Sequence, residues 1–311
     1  MALEMVLVTG GNGFIGKELV TFLQNDFTVR TSVRQLDGKC KALPPSVETV
    51  VTGDISDKTN WNRAIDGVDV VIHLAGRAHI LDDTALSPID LFREVNTKAT
   101  LHLFDEAVKN GVRRFIFVSS IGVTGNITHG KPFTEQDSPE PASDYALSKY
   151  EAEKQLTLAA AQSDIELVII RPALVYGKNA PGNIARLSRI ATKCPFLPFG
   201  LVANRKSFVS IENLVSLLAL CITHPAASNQ VFLAADTTPV STKQLVNILS
   251  KVEETNTINF PFPVALMRMV ATLLGKKAMA SQLFDDLEVD NTKARKMLGW
   301  KPCDGFDSIP K

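Results

Sequence analysis

Met5-Val-Leu-Val-Thr-Gly-Gly-Asn-Gly-Phe-Ile-Gly16 carries the reading of the fold. Its first five residues form a short β-rich run, and from Phe14 to Leu23 apolar residues recur at helical spacing. Between strand and helix, Gly10, Gly13 and Gly16 fall three residues apart. This arrangement predicts a dinucleotide site. Gly10 turns the chain, Gly13 lets a pyrophosphate approach the backbone, and Gly16 lets the helix pack on its strand. The helix N-terminus then faces the phosphate charge, with Asn12, Phe14 and Ile15 completing the loop.

The alternation continues outward from this loop. Residues 28–33, 47–51, 68–74, 114–119 and 166–170 read as strands, and residues 60–65, 91–109 and 145–161 as helices. Strands alternating with helices require right-handed crossovers and a parallel sheet covered on both faces, so the class is α/β, a Rossmann-type doubly wound sheet. Regularity loosens after Arg171-Pro172. Residues 1–172 are therefore expected to bind the dinucleotide. Residues 173–311 are expected to form a smaller α/β substrate lobe, with some segments returning to the main sheet.

Composition excludes other classes. Thirty-three basic residues balance 33 acidic ones, leaving no global positive field for nucleic acid. The four cysteines are scattered without a C-x-x-C pair, and the opening residues lack a basic segment and a cleavage site. Reduced thiols and a cytoplasmic location are the expectation. The apolar stretch 261–275 is too short and interrupted to span a bilayer, and its amphipathic part, 263–274, is expected to pack inside the small lobe. His73, His79, His102, His129 and His224 show no metal-ligand spacing.

Cofactor choice depends on the end of the second strand, Val29-Arg-Thr-Ser-Val-Arg34. No acid stands there before Asp37, whereas Ser32 and Arg34 can hold a 2'-phosphate, so the run favours NADP(H) over NAD(H). Arg34 as a plain surface residue is the competing reading. Asp54, after the third strand, can accept from an adenine amine or simply close a turn.

Tyr145-Ala-Leu-Ser-Lys149 opens a helix, and the i,i+4 spacing puts phenol and ammonium on one face. A neighbouring ammonium and an oxidised nicotinamide both favour phenolate, so the Tyr145 pKa is expected to fall. Ser119 and Ser120, at a preceding strand end, offer hydroxyls to the same reacting oxygen.

Together these pieces resemble the extended short-chain dehydrogenases/reductases of the nucleotide-sugar branch. The resemblance covers essentially the whole chain, adding Gly53-Asp-Ile55, His73-Leu-Ala-Gly76, Asn96, Arg171-Pro172, Val175-Tyr-Gly177, Asp290-x-x-Lys293 and Leu298-Gly-Trp300. It implies that Tyr145 exchanges the proton at a sugar oxygen, that Lys149 lowers its pKa and holds the nicotinamide ribose, and that Ser120 bonds the reacting oxygen. Ser119, Asp54, Ile55, Leu74, Ala75, Gly76, Asn96, Pro172 and Val175 then contact the cofactor. Asn183 and Lys206 match positions that hold the nucleotide diphosphate, with Arg205 as the substitute for Lys206. Thr124 stands at a substrate position where many relatives carry Tyr. Members of the family often pair into homodimers through two long helices, here 91–109 and 145–161.

Three reactions compete under that resemblance. A 4,6-dehydratase needs a carboxylate pair after Ser120, and Ile121-Gly122 stand there instead. The reading of Arg34 favours an NADPH-dependent reductase acting at C4 of a UDP-linked 4-keto sugar in surface-polysaccharide synthesis. The alternative is an NAD-dependent nucleotide-sugar C4-epimerase. A non-catalytic NADP(H) sensor is remote, because sensors of this fold usually lack the Tyr and Lys pair.

Overall fold

The computed structural model describes residues 3–38, 40–78, 87–252 and 254–303. Six early strands are β1 (Met5–Thr9), β2 (Thr28–Val33), β3 (Glu48–Val51), β4 (Val70–His73), β5 (Arg114–Val118) and β6 (Glu166–Pro172). The five intervening α-helices are α1 (Phe14–Leu23), α2 (Asn62–Ile65), α3 (Pro88–Arg93), α4 (Ala99–Lys109) and α5 (Asp144–Ala160). Later strands are β7 (Leu174–Tyr176), β8 (Phe196–Leu197), β9 (Phe208–Ser210), β10 (Gln230–Ala234) and β11 (Ile258–Asn259). With them come α6 (Asn183–Lys193), α7 (Ile211–Thr223), α8 (Thr242–Val252), α9 (Val264–Leu273), α10 (Lys277–Phe284) and α11 (Thr292–Leu298).

The main sheet has the order β10-β6-β5-β4-β1-β2-β3, and every ladder in it is parallel. The expected Rossmann-type sheet is present, and the late strand β10 joins it beside β6. Strand alternation builds two core layers. Val6 and Val8 of β1 face α1 and α7, whereas Leu7 faces Trp61, Phe104 and the α4–α5 side. A third cluster joins α6, α8 and α10 with Tyr176, Phe199 and Phe208.

Two expectations need correction. The helix read at 91–109 begins at Pro88 and is widened by a π-turn at Glu94–Lys98, which seats Asn96 in the interior. π-turns have no periodicity signal and often mark functional sites. The second concerns α9, expected in the core. Val264, Met267 and Ala271 touch the third cluster, but no α9 residue is buried. Among the described residues no helix is long and apolar enough to cross a membrane.

Candidate active site

A cavity of about 700 Å³ lies where the carboxyl ends of β1, β4, β5 and β6 meet α6, α10 and the Lys206–Phe208 segment. In open α/β sheets this crevice is where ligands bind. Gly10 takes a left-handed φ of 72°, and a Cβ there would lie 3.3 Å from the Ala75 backbone. A Cβ on Gly16 would collide with the Gly10 carbonyl oxygen. Gly13 is the extended N-cap of α1, and no side chain caps it, so the first-turn amides remain open to an anion. Phe14 and Ile15 line the cavity, whereas the Asn12 amide donates to Cys40 Sγ at 3.7 Å.

The neighbouring strand ends place the residues of the cofactor reading. Ser32 is buried and its carbonyl accepts from the Gly10 N–H at 2.9 Å. Arg34 Nε lies 2.7 Å from Asp54 Oδ1. Both side chains of this pair are exposed, so it holds the guanidinium only weakly at the surface. Ile55 packs against the second core layer.

Leu74 and Gly76 line the cavity, and a hydroxyl network fixes their loop. Thr9 Oγ1 accepts from the Leu74 and Ala75 amides, each at 3.1 Å, and meets His73 Nδ1 at 2.8 Å. His73 Nε2 meets Thr100 Oγ1 at 2.9 Å, and Thr100 donates to the Asn96 carbonyl. Asn96 is fully buried. Its Oδ1 accepts from the Arg77 amide at 2.8 Å, and its Nδ2 donates to the Arg77 carbonyl and Ser148 Oγ. Its amide is engaged in holding the loop.

Burial and the nearby Lys149 charge lower the His73 pKa to about 3. Unfolded, the ring takes a proton below about 6.5, which the fold refuses until about 3. Stability should therefore fall as pH drops through that window, by about 1.4 kcal/mol per unit from this group. Urea titrations at pH 7.5 and 5 should show a clearly smaller acid loss for His73→Gln than for the parent. An equal loss would refute the assignment.

Tyr145, Lys149, Ser119 and Ser120 converge on the same cavity wall. Ser143 caps α5 by accepting from the Ala146 amide, and this places Tyr145 in the first turn, its ring edge-on to Phe92 at 6.2 Å. Lys149 donates to the Val118 carbonyl at 3.0 Å and sits 4.5 Å from the Phe117 ring centre. Burial lowers its pKa to about 8, while Glu153 opposes that shift. Burial pushes the Tyr145 phenol up to about 12, so the lowering expected from its sequence neighbour is absent. The reason is geometric: the ammonium is turned onto Val118. Ser120 Oγ accepts from the Gly122 amide at 3.1 Å, whereas the buried Ser119 Oγ has no hydrogen-bond partner among the described residues. An unpartnered hydroxyl on a cavity wall, beside a loop closed to side chains, fits a bound dinucleotide.

The far end is basic. Asn183 and Lys206 line it, joined by Arg186, which the sequence reading missed although it lies one turn from Asn183, while Pro172 and Val175 line the cavity from β6 and β7. Asn183 donates to Gln282 Oε1 at 3.1 Å. Arg205 departs from its expected role: the side-chain direction alternates along this extended segment, and Arg205 points away to Glu288 at 2.8 Å. Thr124 also departs. It is buried and accepts from Arg171 at 3.1 Å, and it does not line the cavity. Among the described residues, the lining contains Lys149, Arg186 and Lys206 but no carboxylate. Those residues also hold no cluster able to ligate a metal, and His79 lies outside them.

Arg171 forms a bidentate pair with Glu153 in the interior, with Nη2 at 2.6 Å from Oε2. This ties β6 to the helix bearing Tyr145 and Lys149.

The chain is 42% identical over 303 residues to a UDP-glucose 4-epimerase of Vibrio cholerae, covering 96% of this chain and 91% of the relative. A 28% match, covering 90% and 84%, is to N-acetyl-alpha-D-glucosaminyl-diphospho-ditrans,octacis-undecaprenol 4-epimerase of Escherichia coli O157:H7. The fold is shared with the UDP-glucose 4-epimerase of Thermotoga maritima solved with UDP-glucose, at TM-score 0.77 and 23% identity, covering 97% and 96% of the two chains. The family profile matches residues 6–235, from the first strand of the sheet through β10, and so this chain belongs to the NAD dependent epimerase/dehydratase family.

Proposed function

We propose that the chain is an NAD-dependent C4-epimerase of UDP-linked hexoses. One observation carries this reading: a cavity holding Tyr145, Lys149, Ser119 and Ser120 at one end and Arg186 and Lys206 at the other, with no carboxylate among its described lining residues. Two cations at one end suit a diphosphate. The missing carboxylates weigh against dehydration, which needs a second acid-base pair. Identity with an epimerase over nearly the full chain supports inversion. That relative and the NAD-dependent family favour inversion with NAD over the NADP(H)-dependent 4-ketoreductase expected from sequence.

The dinucleotide would lie on the Gly10–Gly16 loop, the Leu74–Gly76 turn, Ser119, Pro172 and Val175, with Asp54 toward the adenosine end. When bound, NAD supplies the hydride acceptor and donor, and its oxidised ring adds a positive charge that favours the phenolate. Tyr145 takes the proton of the C4 hydroxyl and later returns it to the C4 oxygen of the 4-keto sugar. Ser120 hydrogen-bonds that oxygen, Lys149 holds the nicotinamide ribose, and Asn183 and Lys206 hold the diphosphate.

The test mixes purified protein with UDP-glucose, UDP-galactose and their N-acetyl counterparts and follows the anomeric protons by NMR. Interconversion without net cofactor turnover, with NAD released on denaturation, is the expected result. No inversion, together with NADPH oxidation by a UDP-4-keto-6-deoxy-N-acetylhexosamine, would replace this reading by the reductase.

A further inference from the structure

We infer that α9 lies on the surface of an anionic lipid bilayer. The helix carries two apolar stripes. Val264, Met267 and Ala271 pack inward on the third cluster, as an amphipathic helix should. The opposite face should then be polar, yet it presents Leu266, Met269, Val270, Leu273 and Leu274. Leu273 is 79% exposed and Leu274 66%. Exposed apolar residues also stand just before the helix. Phe260 is half-exposed and bonds through its backbone to Leu197 and Gly200, and these in turn neighbour the exposed Phe196 and Leu201. An apolar stripe exposed along a helix in this way marks a binding surface.

Charge selects the occupant. From Phe260 to Lys277 every charged residue is basic: Arg268, Lys276 and Lys277. Arg268 is paired with Asp285 at 2.6 Å, whereas Lys276 and Lys277 are exposed at the end of the apolar stripe. Lys243 adds a further cation where its ammonium donates to the Gly200 carbonyl at 3.2 Å. A second copy of the chain docking across a two-fold axis would set this basic fringe against itself. An anionic bilayer instead receives the leucines and methionine in its acyl boundary and pairs the lysines with headgroups. Because α9 packs on α10, whose Met279 and Gln282 line the cavity, the docked face lies one helix from the active site. The helix rests in the interface without crossing it, and the inference is independent of the sugar turned over.

Sedimentation of the full chain with vesicles tests it. Binding is expected to phosphatidylcholine vesicles containing one-quarter phosphatidylglycerol, weak binding to phosphatidylcholine alone, and release by high salt. Lys276→Gln and Lys277→Gln should each weaken binding by about fivefold, since each basic residue near the surface contributes on the order of that factor. Leu273→Asp with Leu274→Asp should abolish binding while leaving solution turnover and melting unchanged, since neither residue touches the core or the cavity. Failure to sediment at low salt would overturn the proposal, as would equal binding to neutral vesicles. A concentration-dependent dimer that the aspartate variant dissolves would assign the face to a second copy instead.

Discussion

Tyr145→Phe should keep the fold and lower kcat by about 10²–10⁴-fold, the range over which a positioned proton donor contributes. The phenyl ring fills the same space against Phe92, so packing is retained and only the hydroxyl is lost. Substrate binding should change little, because the proposed diphosphate contacts, Arg186 and Lys206, do not involve the phenol. The loss therefore falls on kcat rather than KM, the signature of an interaction made in the transition state. The pH profile adds a check. In this structure burial alone sets the phenol at about 12, so it starts protonated and depends on added positive charge to ionise. Turnover of the parent should rise with pH toward the alkaline side, and the phenylalanine variant should lose that limb. Activity within threefold of the parent would remove Tyr145 from the chemistry.

Arg171→Met carries the largest expected loss of stability. The guanidinium and the Glu153 carboxylate are both almost wholly enclosed, with side-chain exposures of 7% and 5%. Removing one partner strands the other charge in the interior, at a cost of about 3–5 kcal/mol. For a chain of this size that corresponds to a melting point lower by about 5–8 °C. Thr124 would lose its donor as well. The double variant Arg171→Met, Glu153→Leu removes the stranded charge and should recover much of the loss, as buried pairs replaced by apolar residues generally do. Because Glu153 lies one turn beyond Lys149 on α5, the single variant should also weaken the placement of Tyr145 and Lys149. A melting curve superimposable on the parent's would contradict this account.

What the sequence disclosed follows the range of the physics. The glycine loop and the Tyr145–Lys149 spacing are local, and each requires its residue types at fixed offsets, so both could be read directly. The sheet followed from alternation of strands and helices. The Arg171–Glu153 pair depends on two elements meeting, and nothing near either residue announces it. Arg205 and Lys206 show the limit most sharply: adjacent in sequence and alike in charge, they go to opposite sides because the segment is extended, and only Lys206 enters the cavity. Correspondence with relatives puts Thr124 at the substrate, but its hydroxyl turns inward to Arg171. Arg34 was read without its partner, since Asp54 comes from another strand end. The phenol's pKa went the other way for a similar reason. Spacing told which residues share a helix face, and the Val118 carbonyl decided where the ammonium points.

The most direct test of the central claim, that one cavity both removes hydrogen from C4 and returns it there, is isotopic. UDP-galactose carrying deuterium at C4 should be converted by the purified enzyme, in ordinary water and without added reductant, to UDP-glucose that retains the deuterium at C4. Protium at that carbon in the product would contradict the account.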